Sequence, residues 1–174
     1  MSLCLPACPS AEMTAILDAM EPEASQRVRL TADLSHWVVV GSRFYDYPAD
    51  AVPFERAMAH LEQRCVLIHA RVGYSEGCQV PHPAAPEYRH ALEAHEAWWE
   101  RLWKAQLTRG EKPLVMPEFG PVPGAATTKV SAYMPRLPFT DVPVADVNKV
   151  NEWMARRVRE RYKQLLVSFS NRSR

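Results

Sequence analysis

The sequence lacks an excess of charge of either sign and lacks any long apolar run. Its 21 lysines and arginines nearly cancel its 20 aspartates and glutamates, which leaves a net charge of +1. Proteins that bind nucleic acid or an anionic membrane surface concentrate positive charge, so this balance argues against both kinds of partner. No stretch approaches the ~20 apolar residues that a membrane-spanning helix needs.

Cysteine is scarce and poorly spaced for a metal or disulfide framework. The four cysteines are Cys4, Cys8, Cys65 and Cys78. None forms a C-x-x-C pair, and Cys65 lies inside an apolar run, so we expect neither a zinc ribbon nor a set of disulfides. A reduced, cytoplasmic setting follows. The start of the chain has no basic segment, and Pro6 and Pro9 interrupt its apolar stretch, so we expect no signal peptide.

Glycine is rarer than proline, at 6 residues against 15. Nine of the prolines gather in three stretches, which are Pro81, Pro83 and Pro86; Pro117, Pro121 and Pro123; and Pro135, Pro138 and Pro143. They come after apolar runs, where proline stiffens long loops. With 174 residues and 47% hydrophobic content, the chain can bury a core in one α/β domain over residues 27–170. A segment with a short helix precedes it over 1–26, and a disordered tail follows over 171–174.

Alternating and helical spacings of apolar residues predict the order αβαβαβα, with parallel strands joined by right-handed crossovers. The strands fall at about 27–33, 65–70 and 114–118. The helices fall at about 10–20 with Ser10 as N-cap, from Pro53 in the first turn of a short helix, at 86–108, and from about 144. Their apolar stripes are Met13, Ile16, Leu17 and Met20; Phe54, Met58 and Leu61; Tyr88, Leu92, His95, Trp99, Leu102 and Trp103; and Val147, Val150, Met154, Val158 and Leu165. Loops are predicted over 38–50, 73–86 and 119–143.

A polar residue stands at the exit of each predicted strand. Asp33 ends the first, His69 lies near the end of the second, and Glu118 ends the third. In parallel α/β sheets the carboxyl ends of the strands meet on one face, so these side chains can converge on one cation. Carboxylates with an imidazole suit Mn²⁺, Mg²⁺, Co²⁺ or Zn²⁺. Taken singly, each has a structural alternative: a helix cap for Asp33, a hydrogen-bonded core residue for His69 and an arginine partner for Glu118.

The segments around these residues resemble a known family. T-A-D-L-S-H-W at 31–37, I-H-A-R-V-G-Y-S-E-G at 68–77, M-P-E-F-G-P at 116–121 and L-P-F-T at 137–140 are similar to sugar phosphate isomerases and epimerases with a xylose isomerase-like TIM barrel. The similarity covers about 29–154. It implies a divalent metal held by Asp33, His69 and Glu118. It also implies that His36 contacts the substrate or the Asp33 ligand.

The chain departs from that family in length and in one ligand. A full (β/α)₈ barrel takes ~250 residues, so this chain holds its last three βα units behind a short helix, an incomplete TIM barrel. The family's first metal-binding glutamate has no counterpart before residue 27. We therefore expect low or absent turnover from the chain alone. The apolar edges of a partial barrel favour pairing with another copy, as a homo-oligomer, or with a companion half-barrel.

The resemblance implies a metal-dependent sugar (phosphate) isomerase or epimerase that acts on a small-molecule sugar through an enediolate, with Glu118 as general base and His36 beside it. Trp37 is either a sugar-stacking residue or a wall of the barrel mouth, and Arg71 either contacts substrate or pairs with Glu76 or Glu87. Two other functions stay open. One is a non-catalytic remnant or interaction subunit, and the other is an endonuclease-like metal-dependent hydrolase, which would need a basic groove.

Aromatic and basic residues elsewhere are assigned structural roles. Trp98, Trp99 and Trp103 are predicted to pack in the core because they share one helix at close spacing. The terminal helix carries Arg156, Arg157, Arg159, Arg161 and Lys163. Acidic residues elsewhere balance this basic set, so we interpret it as a solvated helix face rather than a nucleic-acid surface.

Overall fold

The structure is a computed structural model of the chain, and it describes residues 2–3, 11–46, 48–120 and 145–172. The predicted N-cap Ser10, the 137–140 segment and most of the predicted loop over 119–143 lie outside these residues. Within the described residues, no helix combines the length and the apolar character needed to cross a membrane.

The centre of the fold is a parallel sheet of four strands. They are β1 (Ser2–Leu3), β2 (Arg29–Ala32), β3 (Cys65–Ala70) and β4 (Val115–Pro117). Every neighbouring pair is parallel, and the order across the sheet is β1-β2-β3-β4. This confirms the predicted α/β class with parallel strands. The strand order follows the chain order without the reversal that marks a doubly wound sheet.

Six helices and one 3₁₀ turn connect and cover these strands within the described residues. They are α1 (Ala11–Ala19), α2 (Pro22–Arg27), α3 (Leu34–Gly41), α4 (Pro48–Arg64), the turn Pro86–Tyr88, α5 (Arg89–Thr108) and α6 (Val147–Arg172). α4 and α5 pack on each other and on β3, while α6 packs on β4 and α5. α6 continues to Arg172, two residues beyond the predicted domain end at 170.

Several predicted elements are wrong. The order αβαβαβα omits β1, α2 and α3. The loop predicted over 38–50 begins inside α3, because Asp33 caps this helix and Trp37 and Val38 bury its apolar side. The predicted N-terminal helix does end near Pro22, but that proline also occupies the first turn of α2.

The helix around Pro53 is also longer than predicted. α4 has 17 residues and begins at Pro48, so Pro53 lies inside it rather than in its first turn. An internal proline removes one backbone hydrogen bond and costs about 3 kcal/mol, so the rest of the helix must offset that cost by packing. The buried side chains of α4 are Phe54, Ala57, Met58 and Leu61.

The predicted apolar stripes of the long helices form the core. On α5 the buried members are Leu92, His95, Trp99, Leu102 and Trp103, with Trp98 beside them. On α6 they are Val147, Val150, Met154, Val158 and Leu165. The helix predicted from about 144 begins at Val147, since the Asp146 side chain accepts from Asn148 N at 2.8 Å and caps it. On α1 the prediction fails at Ile16, which is 51% exposed.

Candidate metal centre

The register of the sheet brings the predicted site residues to one edge. Ala32 pairs with Ile68 and Ala70 pairs with Pro117. One residue further along each parallel pair, Asp33 comes level with His69 and Glu118 comes level with Arg71. Asp33, Arg71 and Glu118 lie just past the carboxyl ends of their strands, and His69 is the last residue but one of β3, so all four lie where side chains from neighbouring strands meet. The predicted convergence therefore follows from strand pairing.

Three of the predicted residues form a compact group of ligand atoms. Asp33, His69 and Glu118 each offer one such atom, and these atoms all lie within 4.8 Å of one another. His69 Nδ1 lies 2.7 Å from Glu118 Oε2 and 3.8 Å from Asp33 Oδ2. Two carboxylates and an imidazole have thus been brought together from β2, β3 and β4.

The two oxygens of Asp33 have different partners. Oδ1 accepts from the Ser35 backbone N–H at 3.2 Å and from the Ser35 hydroxyl at 2.5 Å, which caps α3. Oδ2 accepts from Arg71 and lies 3.4 Å from His36 Nε2. The sequence left two alternative roles for Asp33, a helix cap and a member of the cluster. In the structure Asp33 has both roles, one for each carboxylate oxygen.

Arg71 follows β3 and places its guanidinium inside the cluster. Its Nη2 donates to Asp33 Oδ2 and to His36 Nε2, the latter at 2.8 Å, and lies 3.5 Å from Glu118 Oε2. Its Nε donates to the Ser35 hydroxyl at 3.1 Å. Arg71 was predicted to contact substrate or to pair with Glu76 or Glu87. The acidic residues beside it are instead Asp33 and Glu118. Because arginine only donates, His36 Nε2 accepts, and the proton of the neutral ring lies on Nδ1.

The cluster separates the proton affinities of its two carboxylates. Burial opposes the ionisation of Asp33, but the neighbouring His69 imidazole, the charge of Arg71 and the Ser35 hydroxyl together hold its pKa far below the ordinary range. Burial and the neighbouring Asp33 carboxylate raise the pKa of Glu118. The carboxylate of Asp33, with help from Glu118, raises the pKa of His69 against the effect of burial. Relative to ordinary carboxyl groups, these surroundings thus favour the anionic form of Asp33 and the protonated form of Glu118.

Two residues behind the cluster, Ser35 and Gly73, were not predicted as part of the site. The buried Ser35 bridges Asp33 and Arg71 through its hydroxyl, and its backbone lies against Gly73. A Cβ at position 73 would lie 2.7 Å from the Ser35 carbonyl oxygen, so a side chain there would push the loop away from α3. The sequence signals were present: a serine two residues after the aspartate of a cap, and a glycine just after a strand.

His95 on α5 holds this loop from the other side. Gly73 N donates to His95 Nε2 at 3.3 Å, so His95 Nδ1 carries the proton and donates to the Ala91 carbonyl at 2.8 Å. The side chain is fully buried, and burial lowers the pKa of His95 to about 4. His95 was predicted as part of an apolar stripe, and it lies there while also anchoring the backbone two residues beyond Arg71.

The remaining predicted residues lie in different surroundings. His36 borders the cluster with a side chain that is 32% exposed. Trp37 is 4% exposed, and its ring meets Phe54 edge to face at 6.1 Å. A ring packed in this way has no open face for a sugar, so its position corrects the stacking assignment in favour of a structural one.

The basic residues of α6 divide into paired and exposed members. Arg157 Nε donates to Glu96 at 2.6 Å, and Arg161 pairs with Glu100. These ion pairs join α6 to α5, so the face predicted to be wholly solvated is partly an interhelical contact. The exposed members are Arg156, Arg159 and Lys163.

The donor set fits a divalent cation. Glu118 Oε2 is buried and has no hydrogen-bond partner among the described residues, although His69 Nδ1 is only 2.7 Å away. A buried polar atom without a hydrogen-bond partner calls for an explanation, and a bound ion is one such explanation. One nitrogen and two carboxylate oxygens leave coordination positions open for a substrate. The guanidinium of Arg71 already places one positive charge beside the two carboxylates, and this charge repels a metal ion.

Comparisons of the chain with protein-family models, with curated proteins and with solved structures found no match.

Proposed function

We propose that the chain carries the metal centre of a sugar or sugar phosphate isomerase, built on part of a xylose isomerase-like TIM barrel. The observation that carries the proposal is the meeting of Asp33, His69 and Glu118 at the carboxyl ends of three adjacent parallel strands. The barrel assignment is supported by strands that follow one another in chain order, as barrel strands do. It is also supported by the motifs at 31–37, 68–77 and 116–121.

The proposed chemistry uses the different proton affinities within the cluster. Asp33, His69 and Glu118 would hold the cation, which supplies Lewis-acid stabilisation of the negative charge on an enediolate. Glu118, whose pKa is raised, would take a proton from the hydroxyl-bearing carbon beside the carbonyl and deliver it to the former carbonyl carbon, while the hydroxyl proton passes to the former carbonyl oxygen. His36 stands at the exposed rim with its proton on Nδ1 and can donate a hydrogen bond to a substrate hydroxyl.

Among the residues that the structure describes, Glu118 is the one proposed proton carrier, which favours one of the two reactions that the family resemblance allows. Glu118 removes and returns a proton on one face of the enediolate, which interconverts an aldose and a ketose. Epimerisation at one carbon needs a second acid on the opposite face. We therefore propose aldose–ketose isomerisation ahead of epimerisation, with low turnover from this chain alone.

The experiment that tests this function is deuterium exchange into aldoses, ketoses and their phosphates in D₂O, with Mg²⁺, Mn²⁺, Co²⁺ or Zn²⁺ added and followed by mass spectrometry. Loss of a general base costs about 10²–10⁴-fold, so Glu118→Gln should lower the exchange rate by at least that lower factor. Glu111→Gln is the control, since Glu111 pairs with Arg109 and lies outside the cluster. Exchange that survives Glu118→Gln unchanged would remove Glu118 from the mechanism.

One observation favours a second function, a non-catalytic interaction subunit. Arg71 already neutralises Asp33, and a cluster balanced in this way can be purely structural. Calorimetric titration with Mn²⁺ of the wild-type chain and of His69→Ala separates the two functions. Binding that His69→Ala abolishes shows a metal site, and no binding in either protein shows a remnant without one; a remnant that still binds metal weakly is told from an enzyme by its lack of turnover in the exchange experiment. The endonuclease-like hydrolase would need a basic groove, and the net charge of +1 gives that function no support.

A further inference from the structure

The guanidinium of Arg71 lies beside the carboxylates of Asp33 and Glu118, where it balances their negative charge. Its Nη2 contacts Asp33 Oδ2 and lies 3.5 Å from Glu118 Oε2, the two oxygens that approach His69 Nδ1. The side chain is 13% exposed, so water provides little screening. Since arginine stays protonated at every physiological pH, this charge cannot be removed by titration.

Arg71 and a metal ion would therefore compete for the same electron pairs. Asp33 Oδ1 is already engaged by the backbone and hydroxyl of Ser35, which leaves Oδ2 as its available ligand atom. Oδ2 accepts from Arg71. A divalent ion on Oδ2 would lie next to a fixed positive charge, and the two cations repel each other.

We propose that Arg71 is an internal cation that fills the carboxylate pair in the metal-free protein, and that a divalent ion binds only by displacing its guanidinium from Asp33. This inference rests on the proposed metal function and deepens it, because it names the residue that sets metal affinity. The displaced side chain has a route outward: His36 and Glu118, which border Nη2, are 32% and 37% exposed. Arg71 then remains at the rim, within reach of an anionic substrate group.

The experiment is a titration with Mn²⁺ alone, in which calorimetry gives the affinity and electron paramagnetic resonance counts free Mn²⁺. Arg71→Met keeps a long unbranched side chain and removes the charge, so it should bind Mn²⁺ at least about tenfold more tightly than wild type. Arg101→Met is the matched control, because Arg101 is a partly buried arginine that pairs with Glu55 and Glu62 away from the cluster. Its affinity should equal that of wild type.

The outcomes separate this proposal from the proposed function. If wild type binds Mn²⁺ and Arg71→Met binds it equally or more weakly, the competition is wrong while the metal site stands. If neither protein binds Mn²⁺, the metal function and the competition both fail. Tighter binding in Arg71→Met and in Arg101→Met alike would show a general charge effect and would also overturn the proposal.

A second measurement on the wild-type chain covers the case in which Arg71→Met does not fold. The Arg71 Nε–H donates to the buried Ser35 hydroxyl, so its ¹⁵N–¹H signal should exchange slowly with water in the metal-free protein. Arg71→Lys identifies the signal. Saturation with Mg²⁺, which is diamagnetic, should shift this signal and speed its exchange. A signal that stays unchanged while Mg²⁺ binds would overturn the displacement.

Discussion

His69 and His95 lie at the same end of the molecule and have opposite electrostatic surroundings. His69 stands between the carboxylates of Asp33 and Glu118, which raise its pKa. His95 stands among the rings of Phe44, Trp98 and Trp99, and burial lowers its pKa to about 4. The surroundings of His69 therefore stabilise a positive charge on its ring, whereas those of His95 favour the neutral ring. The same residue type thus provides a candidate metal ligand at one position and a structural anchor at the other.

The difference shows that the charged cluster and the contact that holds its neighbouring loop in place use different parts of the fold. The charged cluster uses the carboxyl ends of β2, β3 and β4, while α5 supports the loop behind it from the apolar side. The support holds the backbone two residues from Arg71 without placing a titrating group in the cluster. Substitutions at the two histidines should therefore affect different properties.

The largest expected effect on stability is at His95. His95→Leu removes the acceptor of the Gly73 N–H and leaves that donor buried without a partner, so the free energy of unfolding should fall by about 2–3 kcal/mol. His69→Leu, measured without metal, should cost about 1 kcal/mol or less because the Glu118 side chain, its partner in the ion pair, is 37% exposed and water screens the pair. Urea unfolding of both proteins at neutral pH checks the difference.

A conservative variant sharpens this result. His95→Gln retains a side-chain oxygen that can accept from Gly73, so it should recover part of the lost stability. Equal losses in His95→Leu and His95→Gln would mean that the ring's packing, rather than its hydrogen bond, is what matters. A loss at His69 larger than at His95 would reverse the comparison.

The next effect is the pH dependence of stability. Between the ordinary histidine pKa of 6.5 and the folded value of about 4, the unfolded chain binds a proton at His95 that the folded chain does not. Stability therefore falls as pH falls through this window, by about 2 kcal/mol between pH 7 and pH 5 for this residue. The raised pKa of His69 acts in the opposite sense: its contribution is present at low pH and is lost as pH rises through the folded pKa.

Unfolding curves of the variants at pH 5 and pH 7 test the two signs. Relative to wild type, His95→Leu should flatten the loss of stability in acid, and His69→Leu should steepen it. Slopes that change in the same direction in both variants would show that the two histidines do not differ in this way.

The smallest expected effect is at Ser35, which belongs to the charged side of the comparison without being a proposed ligand. Ser35→Ala removes its hydroxyl contacts to Asp33 and Arg71 but keeps the backbone cap, so we expect a loss of about 1 kcal/mol. Ser170→Ala on the exposed end of α6 is the control and should change stability by less than 0.5 kcal/mol. Differential scanning calorimetry measures both, and equal effects would assign Ser35 no role in holding the cluster.

Much of the site could be predicted because strand exits are visible in a sequence. Apolar runs ending at Asp33, His69 and Glu118 predict one shared edge if the strands are parallel, and the strands are parallel. The position of Arg71 could not be predicted, because a side chain of this length reaches many partners. Its place in the cluster depends on the loop that Gly73 and His95 hold.

The missed elements have a different cause. α3 has only 8 residues and β1 only 2, too few for a periodic pattern to stand out from chance. Helices this short are stable through a cap and through tertiary packing rather than through their own propensity. Trp37 shows the same limit: its place directly after His36 in the chain suggested the site, but the first turns of α3 carry its ring into the core.

By itself, the sequence determined which residues are apolar, where the long helices and the main strands run, and which polar groups stand at the strand ends. These follow from local periodicity and from the chemistry of each side chain. Only the tertiary structure decided that Arg71 lies beside the two carboxylates, and that one oxygen of Asp33 caps a helix while the other contacts the guanidinium. It also decided that His95 is buried among aromatic rings while His69 lies in the charged cluster. Proton affinity and ligand geometry depend on neighbours from distant parts of the chain, and folding alone brings those neighbours together.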